Sequence, residues 1–189
     1  MTSNKIYPSE NWQRLLSTER ENRQAIQLFF QLAEPDSHEI WLDLGCGPGY
    51  FTLPLAHRVA QIFAVDISKE MLAVCRSRAE GKSIHTIKYL QSDGTRLNIE
   101  KESVHKALLS DVFHEFDDRP AVVHELFRLL RPGGSVFIID WERMAMDFGP
   151  PLDHRLDRET VITEFEDNGF KFYQASSMYK GKYVLVFRK

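Results

Sequence analysis

The chain has 189 residues, 43% of them hydrophobic and 27% charged, with a formal net charge of −3. That length suits one domain, 1–189, whose core needs no staples, and the acidic balance gives no broad electrostatic reason to hold nucleic acid or an anionic membrane. The two cysteines, Cys46 and Cys75, have no metal-type spacing, so reduced intracellular thiols and no metal are expected.

The N-terminal stretch "MTSNKIYPSENWQRLL" carries no long apolar run. No segment approaches the roughly 18 apolar residues of a spanning helix, so a cytoplasmic protein without membrane insertion is expected. Pro8 to Ala33 reads as one helix, with Trp12, Leu15, Leu16, Ile26, Phe29 and Phe30 at three- and four-residue steps, Ser9 as its N-cap and Pro35 beyond its end. "HEIWLDLG" then reads as a buried strand and "YFTLPLAHRVA" as a helix.

The alternation continues through "QIFAVDIS" (strand), "KEMLAVCRSRAE" (helix), "IHTIKYLQ" and "SVHKALLSDV" (strands). "DRPAVVHELFRLL" is a helix closed by "RPGG", and "SVFIID" the next strand. A helix over "DRETVITEFEDNGF" and a hairpin of "FKFYQASSMY" and "YVLVFRK" around "KGK" follow. This order divides the domain into a helical cap (1–36), an alternating core (37–142) and a C-terminal helix with hairpin (143–189). It predicts an α/β fold: a Rossmann-like three-layer sandwich with a mostly parallel seven-stranded sheet, an antiparallel strand near the C-terminal end, and an N-terminal helix.

The stretch "WLDLGCGPGYFT" packs Gly45, Gly47 and Gly49 into five residues at the exit of the first strand. Glycines there let a ligand lie against bare backbone, at the edge of an open α/β sheet where ligands bind. Asp66, nineteen residues past Gly47, ends the second strand, where a carboxylate accepts hydrogen bonds from a ribose diol. The dinucleotide fingerprint GxGxxG needs a final glycine, and Tyr50 stands in that place. The spacing therefore disfavours a pyrophosphate cradle while leaving room for a nucleoside carrying no phosphate.

These segments resemble class I S-adenosylmethionine-dependent methyltransferases. "WLDLGCGPGYFT" is similar to their first motif, "FAVDIS" to their ribose-binding strand, and "LQSDGTRL" to the segment whose acid meets adenine. "ALLSDVFHEFDD" and "ELFRLLRPGGSVFIID" resemble the fourth- and fifth-strand segments, so the match runs from Ile40 to Trp141. Within the class the chain most resembles the small type-11 group that includes the ubiquinone/menaquinone-biosynthesis methyltransferases.

The resemblance implies S-adenosylmethionine as cofactor and methyl transfer to a small-molecule acceptor by in-line displacement. Gly45, Cys46 and Gly47 would line the methionine part. Asp43 would hold the turn or reach the ammonium through water, Asp66 would take the ribose, and Ile67 would pack on the adenine. Asp93 matches the adenine acid, with the Gly94 N–H near the ring, although "SDGT" also reads as an Asx-type turn. Ser110 would offer its carbonyl to the ammonium.

His114 and Glu115 follow the fourth strand, where the family seats its acceptor. His114 is either a general base, a helix cap or a residue stacked in the pocket wall, and Glu115 either lines the acceptor pocket or only complements a helix dipole. Trp141, Met144, Met146 and Phe148, with Trp12 and Tyr7, are candidate walls of the acceptor pocket or ordinary packing. Arg20 or Arg23 either reaches the cofactor carboxylate or belongs to a solvated face. The rival readings are a non-catalytic S-adenosylmethionine-binding regulator or partner subunit, and a nicotinamide-dependent oxidoreductase. The acceptor and the oligomeric state are left open.

Overall fold

Near-continuous apolar runs are what a strand covered on both faces requires, and β1 (Ile40–Leu44) is such a strand in the interior of the sheet. The computed structural model describes residues 6–189; the first five residues of the expected cap lie outside the described residues. In chain order after a 3-10 helix (Ser9–Leu16) come α1 (Thr18–Arg23), α2 (Ile26–Ala33), β1, α3 (Thr52–Ala56), β2 (Gln61–Asp66), α4 (Lys69–Glu80) and β3 (Ile87–Gln91). Then follow β4 (Val104–Ser110), α5 (Arg119–Leu129), β5 (Leu130–Trp141), α6 (Arg158–Glu166), β6 (Lys171–Ser176) and β7 (Lys182–Arg188).

The seven strands stand in the order β3-β2-β1-β4-β5-β7-β6, and β7 is antiparallel to both of its neighbours. The antiparallel strand thus lies one place in from the edge. Strand order reverses between β1 and β4, which opens a crevice at their carboxyl ends. Successive β1 residues point to opposite faces. Trp41 stacks on Phe137 at 5.9 Å between ring centroids beneath α2, α3 and α4. Leu42 and Leu44 face α5 and α6, where Phe165 stacks on Phe187 at 4.2 Å. Three layers result.

The single N-terminal helix expected over Pro8–Ala33 is three pieces. Ser17, in extended backbone, stops the 3-10 helix and caps α1 by accepting the Arg20 N–H at 3.3 Å. Gln24, at φ −139° and ψ 58°, breaks the chain again before α2. Ser9 caps nothing: the N-cap position falls on Pro8, which has no side-chain acceptor. Periodicity ran through these breaks because the apolar spacing continues across them.

"RPGG" does not separate helix from strand as a loop would. α5 ends at Leu129 and β5 starts at once, with a register shift between the pairs Val104–Leu130 and Lys106–Ser135. The four residues bulge out of the strand, with Gly133 at φ +77°. Elsewhere the capping chemistry is local: Ser68 accepts the Met71 N–H to open α4, and Asp118 accepts the Ala121 N–H to open α5.

Candidate functional site

A cleft of about 990 Å³ runs across the carboxyl ends of β1, β2 and β4 beneath the N-terminal segment. Its floor is the loop after β1. Gly45, Gly47 and Gly49 all have positive φ, at +76°, +52° and +84°. A Cβ on Gly45 would lie 2.5 Å from Val112, and one on Gly49 2.6 Å from the Cys75 sulfur, so two of the glycines serve packing behind the loop. At Gly47 the space ahead is open, with one neighbour, Leu15, at 3.7 Å.

Asp66 ties this loop to the tip of β2. Its Oδ2 accepts the Gly47 N–H at 2.8 Å and its Oδ1 the Ser68 N–H at 2.9 Å. Burial raises the Asp66 pKa above the ordinary carboxylate value, while the two backbone N–H groups oppose that rise. Asp43 sits behind the loop and accepts from the Thr52 hydroxyl at 2.6 Å, holding the start of α3. Burial pushes its pKa up to about 7. Cys46 lies inside the loop, and burial beside Cys75 raises its thiol pKa well above normal, so the thiolate is disfavoured.

Ile67 lines the cleft and is 45% exposed, an apolar surface open to a ligand. Asp93 also lines it, but its Oδ1 accepts both the N–H and the hydroxyl of Thr95, forming the Asx-type turn. Gly94 is not part of the lining. Its N–H donates to Ser92 Oγ at 3.1 Å, and a Cβ there would press on Leu44, so its role is in the turn behind the wall.

Past β4 the character changes from backbone to side chains. His114, in a short 3-10 turn (Phe113–Glu115), lines the cleft and is 3% exposed. Its Nδ1 lies 2.7 Å from Asp140 Oδ1, and its backbone N–H donates to the other oxygen at 3.1 Å. Against a carboxylate Nδ1 holds the proton, which leaves Nε2 as the acceptor. Burial disfavours the imidazolium, but the Asp140 carboxylate outweighs it and the His114 pKa lies above the ordinary value. Glu115 Oε1 stands 4.0 Å from Nε2, and burial lifts the Glu115 pKa to about 7.

The opposite wall carries a network that reading the sequence did not assemble. Arg20 Nη2 donates to Asp111 Oδ2 at 3.0 Å, and Lys182 Nζ donates to Asp111 Oδ1 and, at 2.8 Å, to Gln24 Oε1. Gln24 in turn donates to Ser110 Oγ at 2.9 Å, and its carbonyl accepts the Tyr50 hydroxyl at 2.8 Å. Arg20 stacks over Tyr50, and Lys182 Nζ lies 4.2 Å from the centroid of Trp141. Asp111, at φ +61°, turns sharply out of β4 to meet both cations. Its positive φ has no signature in sequence, and Lys182 reads there as part of a hairpin turn.

Of the expected pocket walls, Tyr7, Trp141 and Phe148 line the cleft, and Trp12 does not. The backbone leaves the helical region at Asn11, and beyond that kink Arg14 and Leu15 face the cleft instead. Met144 and Met146 line a separate shallow groove shared with Phe148. Arg23 pairs with Glu19 at 2.7 Å and lies over Phe148. Among the described residues no cluster of three His, Cys, Asp or Glu side chains is placed to hold a metal, and no helix is long and apolar enough to cross a membrane.

A family model described as a methyltransferase domain matches residues 42–138. A trans-aconitate 2-methyltransferase of Azoarcus sp. (strain BH72) is 31% identical over 153 residues, 80% of this chain and 56% of that protein. A ubiquinone/menaquinone biosynthesis C-methyltransferase of Wigglesworthia glossinidia brevipalpis is 27% identical over 57% of this chain and 44% of its own length. The chain therefore spans about half the length of the curated relatives it matches. Among solved structures, a SAM-dependent methyltransferase from Aquifex aeolicus superposes with a TM-score of 0.91 at 19% identity, covering 97% of this chain and 99% of that one. At that identity the likeness bears on the fold.

Proposed function

The chain belongs to the methyltransferase domain family, in its S-adenosylmethionine-dependent type-11 group, and we propose that it methylates a small-molecule acceptor seated between His114 and Trp141. The observation that carries this reading is the division of the cleft. One end presents bare backbone and a ribose-type carboxylate, and the other presents a histidine whose Nε2 is left as an acceptor.

The residues present fit the cofactor. Gly47 offers an open cradle that a larger residue would begin to fill, and the Asp66 oxygens, each taking one backbone N–H, keep lone pairs for a diol. Gly45 to Gly47 would hold the amino-acid part, Asp66 the ribose and Ile67 the ring, with Asp93 at the rim and the Ser110 carbonyl toward the ammonium. When bound, S-adenosylmethionine supplies a methyl group already activated on sulfonium sulfur.

The remaining work falls to this chain: excluding water, aligning the acceptor atom with the methyl group, and removing a proton where the acceptor carries one. His114 has the geometry for the last task. Asp140 fixes its tautomer and raises its basicity, and Glu115 stands beside Nε2. Trp141 and Phe148, 6.0 Å apart between centroids, wall the acceptor end. The relatives' printed names span ubiquinone/menaquinone biosynthesis and trans-aconitate, which supports a small molecule as the acceptor class.

Thermal denaturation tests the binding half of the proposal. S-adenosylhomocysteine at 100 times its Kd should stabilise the fold by about 2.7 kcal/mol, whereas NAD should leave the transition where it is. A shift with NAD alone would transfer the site to hydride chemistry. Methyl-labelled S-adenosylmethionine offered with a panel of small acceptors then separates an enzyme from a non-catalytic binder.

A further inference from the structure

At the acceptor end of the cleft two buried cations contact one carboxylate. Arg20 and Lys182, with side chains 15% and 5% exposed, share the single carboxylate of Asp111. The nearby Asp140 is engaged by His114, and Glu142 by Arg158. Glu19 is held by Arg23. Lys182 has three N–H donors; two have acceptors, on Gln24 and Asp111, and its third has no oxygen partner among the described residues. A buried ammonium short of partners is costly, and burial accordingly draws the Lys182 pKa down to about 8 against the pull of Asp111.

The topology explains how a lysine comes to be there. β1, β2, β4 and β5 reach the cleft with their last residues, but β7 runs the opposite way, so its first residue, Lys182, lies at that edge opposite Trp141. Trp141, 4.2 Å from Nζ, adds an aromatic face beside the charge.

We infer that Lys182 and Arg20 form a carboxylate-binding site beside Trp141, and that the methyl acceptor of this chain is an organic acid held there by its anionic group. This rests on the assignment of the cleft to S-adenosylmethionine, because the acid must bind next to an occupied cofactor half. The same chemistry has a second source, the cofactor's own carboxylate, and the test separates the two.

Calorimetry on the full chain saturated with S-adenosylhomocysteine would titrate hydroxybenzoates and short di- and tricarboxylates against the matching amides. At least one acid should bind at least tenfold more tightly than its amide. Lys182→Met should abolish that preference while holding S-adenosylhomocysteine within twofold of wild type. A panel in which no acid outbinds its amide overturns the inference, as does a folded Lys182→Met that keeps the preference. If Lys182→Met instead weakens S-adenosylhomocysteine tenfold and spares 5′-methylthioadenosine, which lacks the amino acid, the carboxylate is the cofactor's and the inference is wrong. The acid–amide comparison on wild type stands even if the variant does not fold. Failure of S-adenosylhomocysteine to bind wild type at all would strike the cofactor assignment.

Discussion

The two ends of the cleft are built by different means. The proposed cofactor end is main chain: glycine φ angles and N–H groups from residues 45–68, arranged by one loop and one strand tip. The proposed acceptor end is side chain: Arg20, Gln24, Asp111 and Lys182, joined by hydrogen bonds across sequence separations of 71 to 158 residues. Backbone geometry tolerates few residue types and so leaves a pattern in the sequence. A side-chain network leaves none, because each member alone reads as an ordinary polar or charged surface residue.

Three substitutions would break or sharpen this contrast, and the largest effect is expected in the backbone half. Gly45→Ala combines left-handed strain with contact against Val112, and should lower unfolding free energy by about 2–4 kcal/mol in a urea titration. A neutral result would mean that the loop is not the rigid half. Asp66→Ala removes an acceptor shared by the loop and the proposed ribose. Hydrogen bonds to a charged group are worth about 1.5–3 kcal/mol, so the Kd for S-adenosylhomocysteine should rise roughly 10–100-fold with the fold intact. Wild-type affinity in that variant would remove the ribose assignment.

The smallest effect probes the side-chain half. The His114 pKa lies above its ordinary value because of Asp140, so their contact adds stability that is full below the unfolded histidine pKa of about 6.5. That stability is lost as pH rises through the raised folded pKa. A base must be neutral, so the rate of methyl transfer should climb through that same raised pKa. Asp140→Asn should move the rising limb of kcat/KM to lower pH and remove the low-pH stability. An unmoved limb would leave His114 as a wall residue.

Legibility in the sequence follows the same division. β1, β2 and the Gly47–Asp66 pairing were readable because burial and positive φ restrict residue choice. The breaks at Ser17 and Gln24 were not, since the apolar period runs through them and the fold imposes the turn by pinning Gln24 to Ser110 and Lys182. "KGK" read as a plain hairpin turn, yet Lys182 within it is buried, because only the sheet order places β7 beside β5. Asp93 is the mixed case: it makes the Asx-type turn of "SDGT" and also lines the cleft, and its contact with adenine belongs to the proposal.

The inward position of β7 also bears on synthesis. β7 is translated last yet lies between β5 and β6, so Lys182 is the last member of the opposite wall to be made, after Arg20, Gln24 and Asp111. In a growing chain the glycine loop and Asp66 are therefore made well before the proposed anion site is complete.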